Sequence, residues 1–158
     1  MKQDINNLQT LAEQGDVDAQ FRLGVCYANG EGVAKDPEKA VYWFTRAAKQ
    51  GHAIAQCNLG GHYEFEKGVL KDLEKAVYWY TKAAEQGYDY AQFSLGLCYA
   101  NGKGVPKDQE KAKYWFTMAA EQDHFYLSLY GYCYEYGISV PKDLEQAVYW
   151  YTKEAALK

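Results

Sequence analysis

The sequence predicts an all-α protein built as a solenoid of repeated helical pairs. Its four tryptophans are separated by 36, 36 and 35 residues, and a period of this length is typical of helical repeat proteins. With 14 glycines and 3 prolines in 158 residues, the composition favours helices that are separated by glycine stops. Three residue types recur at the same spacing: Trp43, Trp79, Trp115 and Trp150; Asp36, Asp72, Asp108 and Asp143; Ala40, Ala76, Ala112 and Ala147.

The chain is expected to form one domain, residues 1–158, that begins with half a repeat. Residues 1–15 predict a capping helix, with Ile5, Leu8 and Leu11 on its inner face and polar residues elsewhere, as at the end of a solenoid. Four repeats are expected to follow, at residues 16–51, 52–87, 88–123 and 124–158.

The first helix of each repeat, called helix A, has its apolar residues on one face. In the first repeat Ala19, Leu23 and Tyr27 lie at i, i+4 and i+8, and the helix is expected to stop at Gly30. A glycine recurs in the middle of helix A, first as Gly24. Because such a glycine costs about 1 kcal/mol relative to alanine, we expect another backbone to pack closely against it.

The second helix, helix B, has a clear start and a broad apolar stripe. Asp36 is a suitable N-cap and Pro37 suits the first helical position, while Gly51 follows the end of the helix. The stripe includes Trp43 and Phe44 and faces the core. The fourth repeat is one residue shorter than the others, between residues 120 and 131.

Composition excludes several classes of function. The 17 basic and 21 acidic residues give a net charge of −4, so no basic excess is present for nucleic-acid binding. No apolar run reaches the roughly 18–20 residues of a membrane-spanning helix, and membrane insertion is not expected. The four cysteines occur singly, which predicts free thiols, no metal site and no cofactor. We expect a cytoplasmic location, with a secreted or periplasmic one open if a leader was removed.

The pattern LGxxYxxGxGVxxDxxKAxxWYxKAAxxG resembles that of Sel1-like repeats (SLR), which are relatives of the tetratricopeptide repeat. The first repeat supplies Leu23-Gly24, Tyr27, Gly30, Gly32-Val33, Asp36, Lys39-Ala40, Trp43-Phe44, Ala47-Ala48 and Gly51. The second repeat departs at Glu66, and the fourth departs at Tyr130 and Ser139. The resemblance implies a right-handed α/α superhelix with helix A on the concave side, and an adaptor that binds proteins. Many such proteins are bacterial.

The same resemblance places the binding surface at positions beside the core stripe of helix A. These positions carry many aromatic side chains, which suit an extended or helical peptide with apolar side chains, and the two asparagines could bond its backbone. An alternative is that curvature buries Phe21, Phe93 and Leu97 between neighbouring helices. The predicted binding residues are Phe21, Val25, Asn29, Cys57, Phe65, Tyr90, Phe93, Leu97, Asn101, Ser128, Tyr132 and Tyr136.

Three further readings stay open. The recurring Tyr42, Tyr78, Tyr114 and Tyr149 point outward, either as a second contact surface or as packing residues. Trp150 and Tyr151 lie on the last helix B, where no further helix covers them, and could support self-association. One cysteine-rich branch of the family binds or slowly hydrolyses β-lactams, but its paired cysteines are absent here.

The sequence offers no catalytic set, since no nucleophile can be joined to a base and a carboxylate by spacing. His52 and His124 are expected to be solvated turn residues, and the glycine loops are explained by helix capping. The protein is therefore predicted to be a non-enzymatic scaffold that binds a protein or peptide.

Overall fold

A computed structural model describes residues 2–157 and confirms the all-α fold. Over those residues it contains nine helices and no strand. The helices are α1 (Lys2–Glu13), α2 (Val17–Asn29), α3 (Pro37–Lys49), α4 (Ala53–Glu64), α5 (Leu73–Glu85), α6 (Asp89–Asn101), α7 (Gln109–Ala120), α8 (His124–Tyr136) and α9 (Leu144–Ala155).

The helices follow the predicted order of half a repeat and four pairs. Helix α1 corresponds to a lone helix B, and α2 to α9 alternate between helix A and helix B. The chain divides into two compact units, which we call the N-terminal unit, ending at Ala83, and the C-terminal unit, beginning at Ala84. Each unit has its own apolar core of alanines and aromatic rings.

Helix starts and stops agree with the sequence prediction. The side chains of Asp36 and Asp108 each accept a hydrogen bond from the backbone N–H three residues later, at 3.0 Å, which satisfies an orphan donor of the first turn. Helix A ends in the left-handed conformation at Gly30, Gly102 and Gly137, whose N–H groups bond back to the helix.

The recurring glycine of helix A packs against an aromatic ring. The prediction that a neighbouring backbone would be its nearest contact is wrong. A Cβ atom at Gly24 would lie 2.7 Å from the ring of Phe44, on the helix B of the same repeat. Gly60, Gly96 and Gly131 face Tyr80, Phe116 and Tyr151 in the same way, and at Gly60 a backbone atom, the Ala76 oxygen at 3.2 Å, is also among the nearest neighbours. The glycine thus lets a large ring fit against helix A.

A buried glutamine joins consecutive repeats. The side-chain amide of Gln20 donates to the Ala12 carbonyl at 3.0 Å, and Gln56 and Gln92 make the same bond eight residues back. These amides are 1–5% exposed, so the bond satisfies polar groups that water cannot reach. In the fourth repeat, after the shortened turn, the buried Leu127 stands at this position.

Candidate functional site

The predicted binding residues of the C-terminal unit come together on two neighbouring helices. The rings of Phe93 on α6 and Tyr126 on α8 lie 5.3 Å apart. The amide nitrogen of Asn101 at the end of α6 donates to the Ser139 hydroxyl, which follows α8, at 3.2 Å. These contacts hold α6 and α8 side by side.

The exposed part of this surface is aromatic, and we call Tyr90, Phe125, Tyr132 and Tyr136 the aromatic face. Their exposed fractions are 56%, 65%, 46% and 58%. The rings of Tyr132 and Tyr136 lie 4.5 Å apart, so each restricts the other before any ligand arrives. Phe125 is not among the residues that the sequence predicted for binding.

Three predicted residues of this unit are partly buried. Phe93 and Leu97 are half-buried because they pack against the core of the unit, so the alternative of burial applies to them in part. Ser128 is half-buried as well. Each of these three side chains therefore offers less contact area than the predicted residues that are exposed.

Asn101 is exposed, but its donor hydrogens are engaged within the unit. Its amide nitrogen donates to the Leu97 carbonyl at 2.9 Å as well as to the Ser139 hydroxyl. A side-chain amide has two N–H donors and one acceptor oxygen. The oxygen is therefore the group with which Asn101 can bond a ligand N–H.

Burial and a nearby carboxylate raise the pKa of two tyrosines in this unit. The Tyr151 hydroxyl donates to Oε2 of Glu135 at 2.8 Å. Burial, with help from this bond, raises the pKa of Tyr151 to about 12. The nearby Glu135 charge is the main reason why the pKa of Tyr136 is also raised. Both tyrosines are therefore neutral hydroxyl groups at ordinary pH, able to donate and accept hydrogen bonds.

In the N-terminal unit the predicted residues have more varied surroundings. Phe65 is 60% exposed, with the Lys67 ammonium 5.6 Å from its ring centre, and Asn29 is exposed and donates to Glu31 at 2.7 Å. Cys57 corrects the predicted set, because only 3% of it is exposed. The small thiol at this helix A position is packed inside the unit and does not line a surface.

Phe21 stacks on a histidine that sequence reasoning assigned to a solvated turn. The rings of Phe21 and His52 lie 4.4 Å apart and almost parallel, at 22°. The Nδ1 atom of His52 accepts a hydrogen bond from the Ala55 N–H at 3.1 Å and so caps α4. The prediction that His52 is solvated is wrong, because the hydrogen bond and the stacked ring leave its side chain 16% exposed. His124, at the start of α8, is exposed as expected.

A groove of about 610 Å³ lies between α1 and α2, within the range of about 300–1,000 Å³ of small-ligand sites. We call it the N-terminal groove. Sequence reasoning missed the contribution of α1, because its polar residues suggested only a cap. The lining contains the predicted Phe21 and Val25 together with Asp4, Ile5, Asn7, Leu8, Leu11, Arg22, Cys26 and Glu31.

The proposed self-association edge at Trp150 and Tyr151 is not exposed. Trp150 is 5% exposed because its ring packs on Tyr130 at 4.9 Å, and the half-buried Tyr151 packs on Gly131. The open side of α9 is formed instead by Leu144 and Val148, which are 58% and 63% exposed.

The outward tyrosines form a second regular feature. Tyr42, Tyr78, Tyr114 and Tyr149 are 53–56% exposed, as the sequence predicts for outward-pointing residues. Each lies edge-on to the tryptophan that follows it, with ring centres 4.9–5.0 Å apart. This contact favours the packing interpretation, since part of each ring covers an indole.

The four cysteines are free thiols, as predicted. Burial raises the pKa of Cys26 and of Cys133, which lowers the thiolate fraction that a nucleophile requires. Between residues 2 and 157, no three histidine, cysteine or acidic side chains form a group that could hold a metal ion. None of the helices in that range is long and apolar enough to cross a membrane.

Paired helices at a period of about 36 residues define a helical repeat protein. The family model for the Sel1 repeat matches residues 17–52, 53–88, 89–124 and 126–157. The chain belongs to the Sel1 repeat family, as the motif indicated.

Solved structures of bacterial Sel1 repeat proteins share the fold. A protective antigen present in uropathogenic Escherichia coli, displaying an SLR fold, is 40% identical, with a TM-score of 0.84. A Sel1 repeat protein from Oxalobacter formigenes is 35% identical, with a TM-score of 0.86. The match covers 95% and 98% of this chain, but only 32% and 64% of those two chains.

The fold also extends to Helicobacter pylori cysteine rich protein B, which is 22% identical with a TM-score of 0.66 over 82% of this chain and 96% of that one. No curated protein sequence matches significantly. The α/α solenoid class is thereby confirmed, and proteins of the Sel1 repeat family generally act as non-catalytic scaffolds for protein interactions.

Proposed function

We propose that this chain binds a protein or peptide segment along the exposed face of its A helices, with the aromatic face as the main contact in the C-terminal unit. The observation that supports this proposal is the presence of four large rings, each 46–65% exposed, on α6 and α8, two of which, Tyr132 and Tyr136, contact each other. Rings are usually buried, and tyrosine is enriched among residues that dominate binding energy.

The ligand that fits this face is a segment with apolar side chains and free backbone donors. Burial of apolar surface supplies about 25 cal/mol per Å². The rings of Tyr132 and Tyr136 already restrict each other, so they lose little side-chain entropy on binding. The side-chain oxygen of Asn101 accepts from a ligand N–H, and the hydroxyls of Tyr132 and Tyr136 provide further polar contacts. In the N-terminal unit, Phe65 and Asn29 offer the same two kinds of contact.

The test is selection from a random peptide library displayed on phage. We expect peptides rich in aliphatic and aromatic residues to be enriched by the wild-type chain. The double variant Tyr132→Ala, Tyr136→Ala should bind them at least tenfold more weakly, since removing a dominant aromatic contact costs about 2 kcal/mol or more.

The matched control is Tyr114→Ala, which removes a tyrosine of similar exposure, 56%, from helix B of the same unit. Its affinity should equal that of the wild type. If the double variant binds as tightly as the wild type, or if the control is equally weakened, the aromatic face is not the binding site.

A second candidate function is association between copies of the chain through α9. Val148 is 63% exposed, whereas Val41 and Val77 at the same repeat position are 9% and 7% exposed because further helices cover them. If α9 forms such a contact, sedimentation equilibrium will show a concentration-dependent mass that Val148→Asp abolishes. A constant monomer mass for the wild type would exclude it.

A further inference from the structure

The second repeat places a lysine of its own over an exposed aromatic ring at the end of helix A. The Lys67 ammonium lies 5.6 Å from the centre of the Phe65 ring, which is 60% exposed and directly follows Glu64. A cation within about 6 Å of a ring centre is attracted by the electrons of the ring face. The end of α4 therefore presents an acid, an exposed ring and the cation that the ring attracts.

The fourth repeat has the acid and the ring without the cation. Aligned on the repeat, its acid is Glu135 and its ring is Tyr136, but the uncharged Ile138 stands where the second repeat has the lysine. The backbone N–H groups of Ile138 and Lys67 both bond back to a carbonyl of the preceding helix, at 2.9 and 3.0 Å. The two side chains therefore start from equivalent places in their repeats, and only the lysine brings a charge.

A second lysine is also absent from the fourth repeat. In each of the first three repeats a lysine of helix B lies over a helix A tyrosine, 5.2–5.4 Å from the ring centre: Lys39 over Tyr27, Lys75 over Tyr63 and Lys111 over Tyr99. Gln146 occupies this position in the fourth repeat. Rings of helix A are thus paired with lysines of the chain itself everywhere except in the fourth repeat.

The charges on the A helices of the C-terminal unit are complementary to a basic ligand. Helices α6 and α8 contain no lysine or arginine, and their carboxylates are those of Asp89 and Glu135. Among the residues that the structure describes, no lysine or arginine lies over the ring of Tyr132 or Tyr136 or forms an ion pair with Glu135. The aromatic face therefore offers ring electrons and negative charge together.

These two positions stay open in repeats that have another repeat after them. The residue at the Tyr136 position is exposed in all three earlier repeats, and Glu64, at the Glu135 position, is half-buried as Glu135 is. The exposed equivalents are Asn29, Phe65 and Asn101. Because each of those repeats is followed by a further one, the opening at Tyr136 and Glu135 does not depend on where the chain ends.

The geometry around Glu135 suits a planar cation. Its Oε2 accepts from the Tyr151 hydroxyl at 2.8 Å, and a carboxylate has about four lone-pair sites, so it can accept further donors. The rings of Tyr132 and Tyr136 lie 4.5 Å apart at an angle of 40°. A guanidinium group stacks on an aromatic ring and donates to a carboxylate from its edge, which a compact ammonium group cannot do to the same extent.

From these observations we propose that the segment bound on the aromatic face carries an arginine, whose guanidinium lies against the Tyr136 ring and donates to Glu135. It takes the place that the chain's own Lys67 has in the second repeat. This rests on the proposed function and deepens it, because it names one side chain of the ligand. The apolar side chains of the same segment contact the remaining rings of the face.

The probes for the test are three synthetic peptides, acetyl-GLLXLFG-amide, in which X is arginine, its neutral isostere citrulline, or norleucine. Each is titrated into the full chain labelled with nitrogen-15, and proton–nitrogen correlation spectra give both the affinity and the location. We expect the arginine peptide to bind about threefold or more tightly than the citrulline peptide. Its largest shifts should fall at Tyr136 and Gly137.

Two variants test separate parts of the site. Glu135→Gln keeps an acceptor for Tyr151 but removes the charge, so it should weaken the arginine peptide about threefold and leave the citrulline peptide unchanged. Ile138→Lys supplies the lysine of the second repeat and should have the same effect by occupying the ring. Glu110→Gln is the matched control, since it removes the same charge from an exposed position on helix B of this unit. Both affinities should then equal those of the wild type.

The outcomes separate this site from the proposed function. Equal binding of the arginine and citrulline peptides, with shifts on α6 and α8, would overturn the arginine site and leave the proposed function standing. An arginine preference that persists in both Glu135→Gln and Ile138→Lys would also overturn it. If none of the three peptides shifts Tyr132 or Tyr136, the proposed function fails and the arginine site fails with it. Thermal melting of each variant establishes that it is folded.

Discussion

The Tyr151 hydroxyl donates to Oε2 of Glu135 at 2.8 Å, and the same bond joins Tyr80 to Glu64 in the second repeat. In both pairs the tyrosine ring also fills the space beside the glycine of helix A. In the other two repeats phenylalanine stands at the ring position and alanine at the acid position, as Phe44 with Ala28 and Phe116 with Ala100. The tyrosine hydroxyl and the carboxylate that accepts from it are thus present together or absent together.

Tyr80→Phe should lower the free energy of unfolding by about 1–2 kcal/mol, because it removes a hydrogen bond to a charged acceptor while keeping the ring. Urea denaturation of the full chain measures this change. Tyr78→Phe is the matched control on the same helix, since Tyr78 is 53% exposed, and it should change stability by less than about 0.5 kcal/mol. Equal effects of the two changes would contradict a special role for the Tyr80–Glu64 bond.

The free energy of unfolding should fall at alkaline pH, partly because the Tyr151 phenol ionises. Its folded-state pKa is raised to about 12 from 10.0, so the folded chain prefers the neutral phenol. Its contribution is full below pH 10 and is lost as the pH rises towards 12. Unfolding in urea at pH 9, 10 and 11 should give a smaller decline for Tyr151→Phe than for the wild type. Tyr149→Phe, an exposed neighbour, should follow the wild type.

His62 should make the chain less stable in mild acid. The ring is 8% exposed, its Nδ1 lies 2.6 Å from the Lys67 carbonyl, and burial lowers its pKa from 6.5. The folded chain therefore prefers the neutral ring, whose contribution is full above pH 6.5 and is lost as the pH falls below that value.

His62→Cys introduces the residue found at this position in the other repeats, and it should decrease the loss of stability between pH 7.5 and 5.0. Thermal melting at several pH values provides the measurement. His124→Asn, which changes an exposed histidine, serves as the control and should leave the pH dependence as in the wild type. If the melting temperature of His62→Cys depends on pH as that of the wild type does, His62 is not the cause of the acid sensitivity.

Glu66 has a left-handed backbone conformation, and glycine occupies the same position in the first and third repeats. Its φ is 54°, and the corresponding Gly30 and Gly102 have φ of 80° and 67°. Because a non-glycine residue in this region is strained by about 1–2 kcal/mol, Glu66→Gly should raise the unfolding free energy by about 1 kcal/mol. Gly102→Glu is the reverse change at an uncrowded site and should lower it by a similar amount. Changes of the same sign in both variants would refute this account.

Gly68→Ala should be among the most damaging single changes in the N-terminal unit. A Cβ there would lie 2.3 Å from the Pro37 carbonyl carbon, and φ is +74°. Gly51→Ala has a similar positive φ, +91°, with nothing within 4 Å of the new atom, so it measures the backbone strain alone. We expect Gly51→Ala to cost about 1 kcal/mol and Gly68→Ala to cost clearly more. Equal losses in urea denaturation would show that the loop moves away without cost.

Local patterns predicted the helices well, because caps, stops and apolar stripes are set by residues within a few positions of one another. Asp36 and Gly30 are examples, since each acts on its own turn. The environments of His52, Cys57 and Trp150 could not be predicted in this way. The exposure of each of these side chains depends on a ring or helix that lies distant in sequence. A repeat pattern identifies equivalent positions in different repeats, but it does not show which of them a neighbouring element buries.

The alternation of Phe with Ala and Tyr with Glu has a consequence for how this chain can be lengthened or shortened. Gln20 and Gln92, the first residues of the two most similar segments, are separated by two repeats, not one. A designer who recombines these modules should exchange whole repeats, because each hydroxyl and its acceptor lie in the same repeat. A crossover inside a repeat would place a tyrosine beside an alanine and leave a buried hydroxyl in an apolar site.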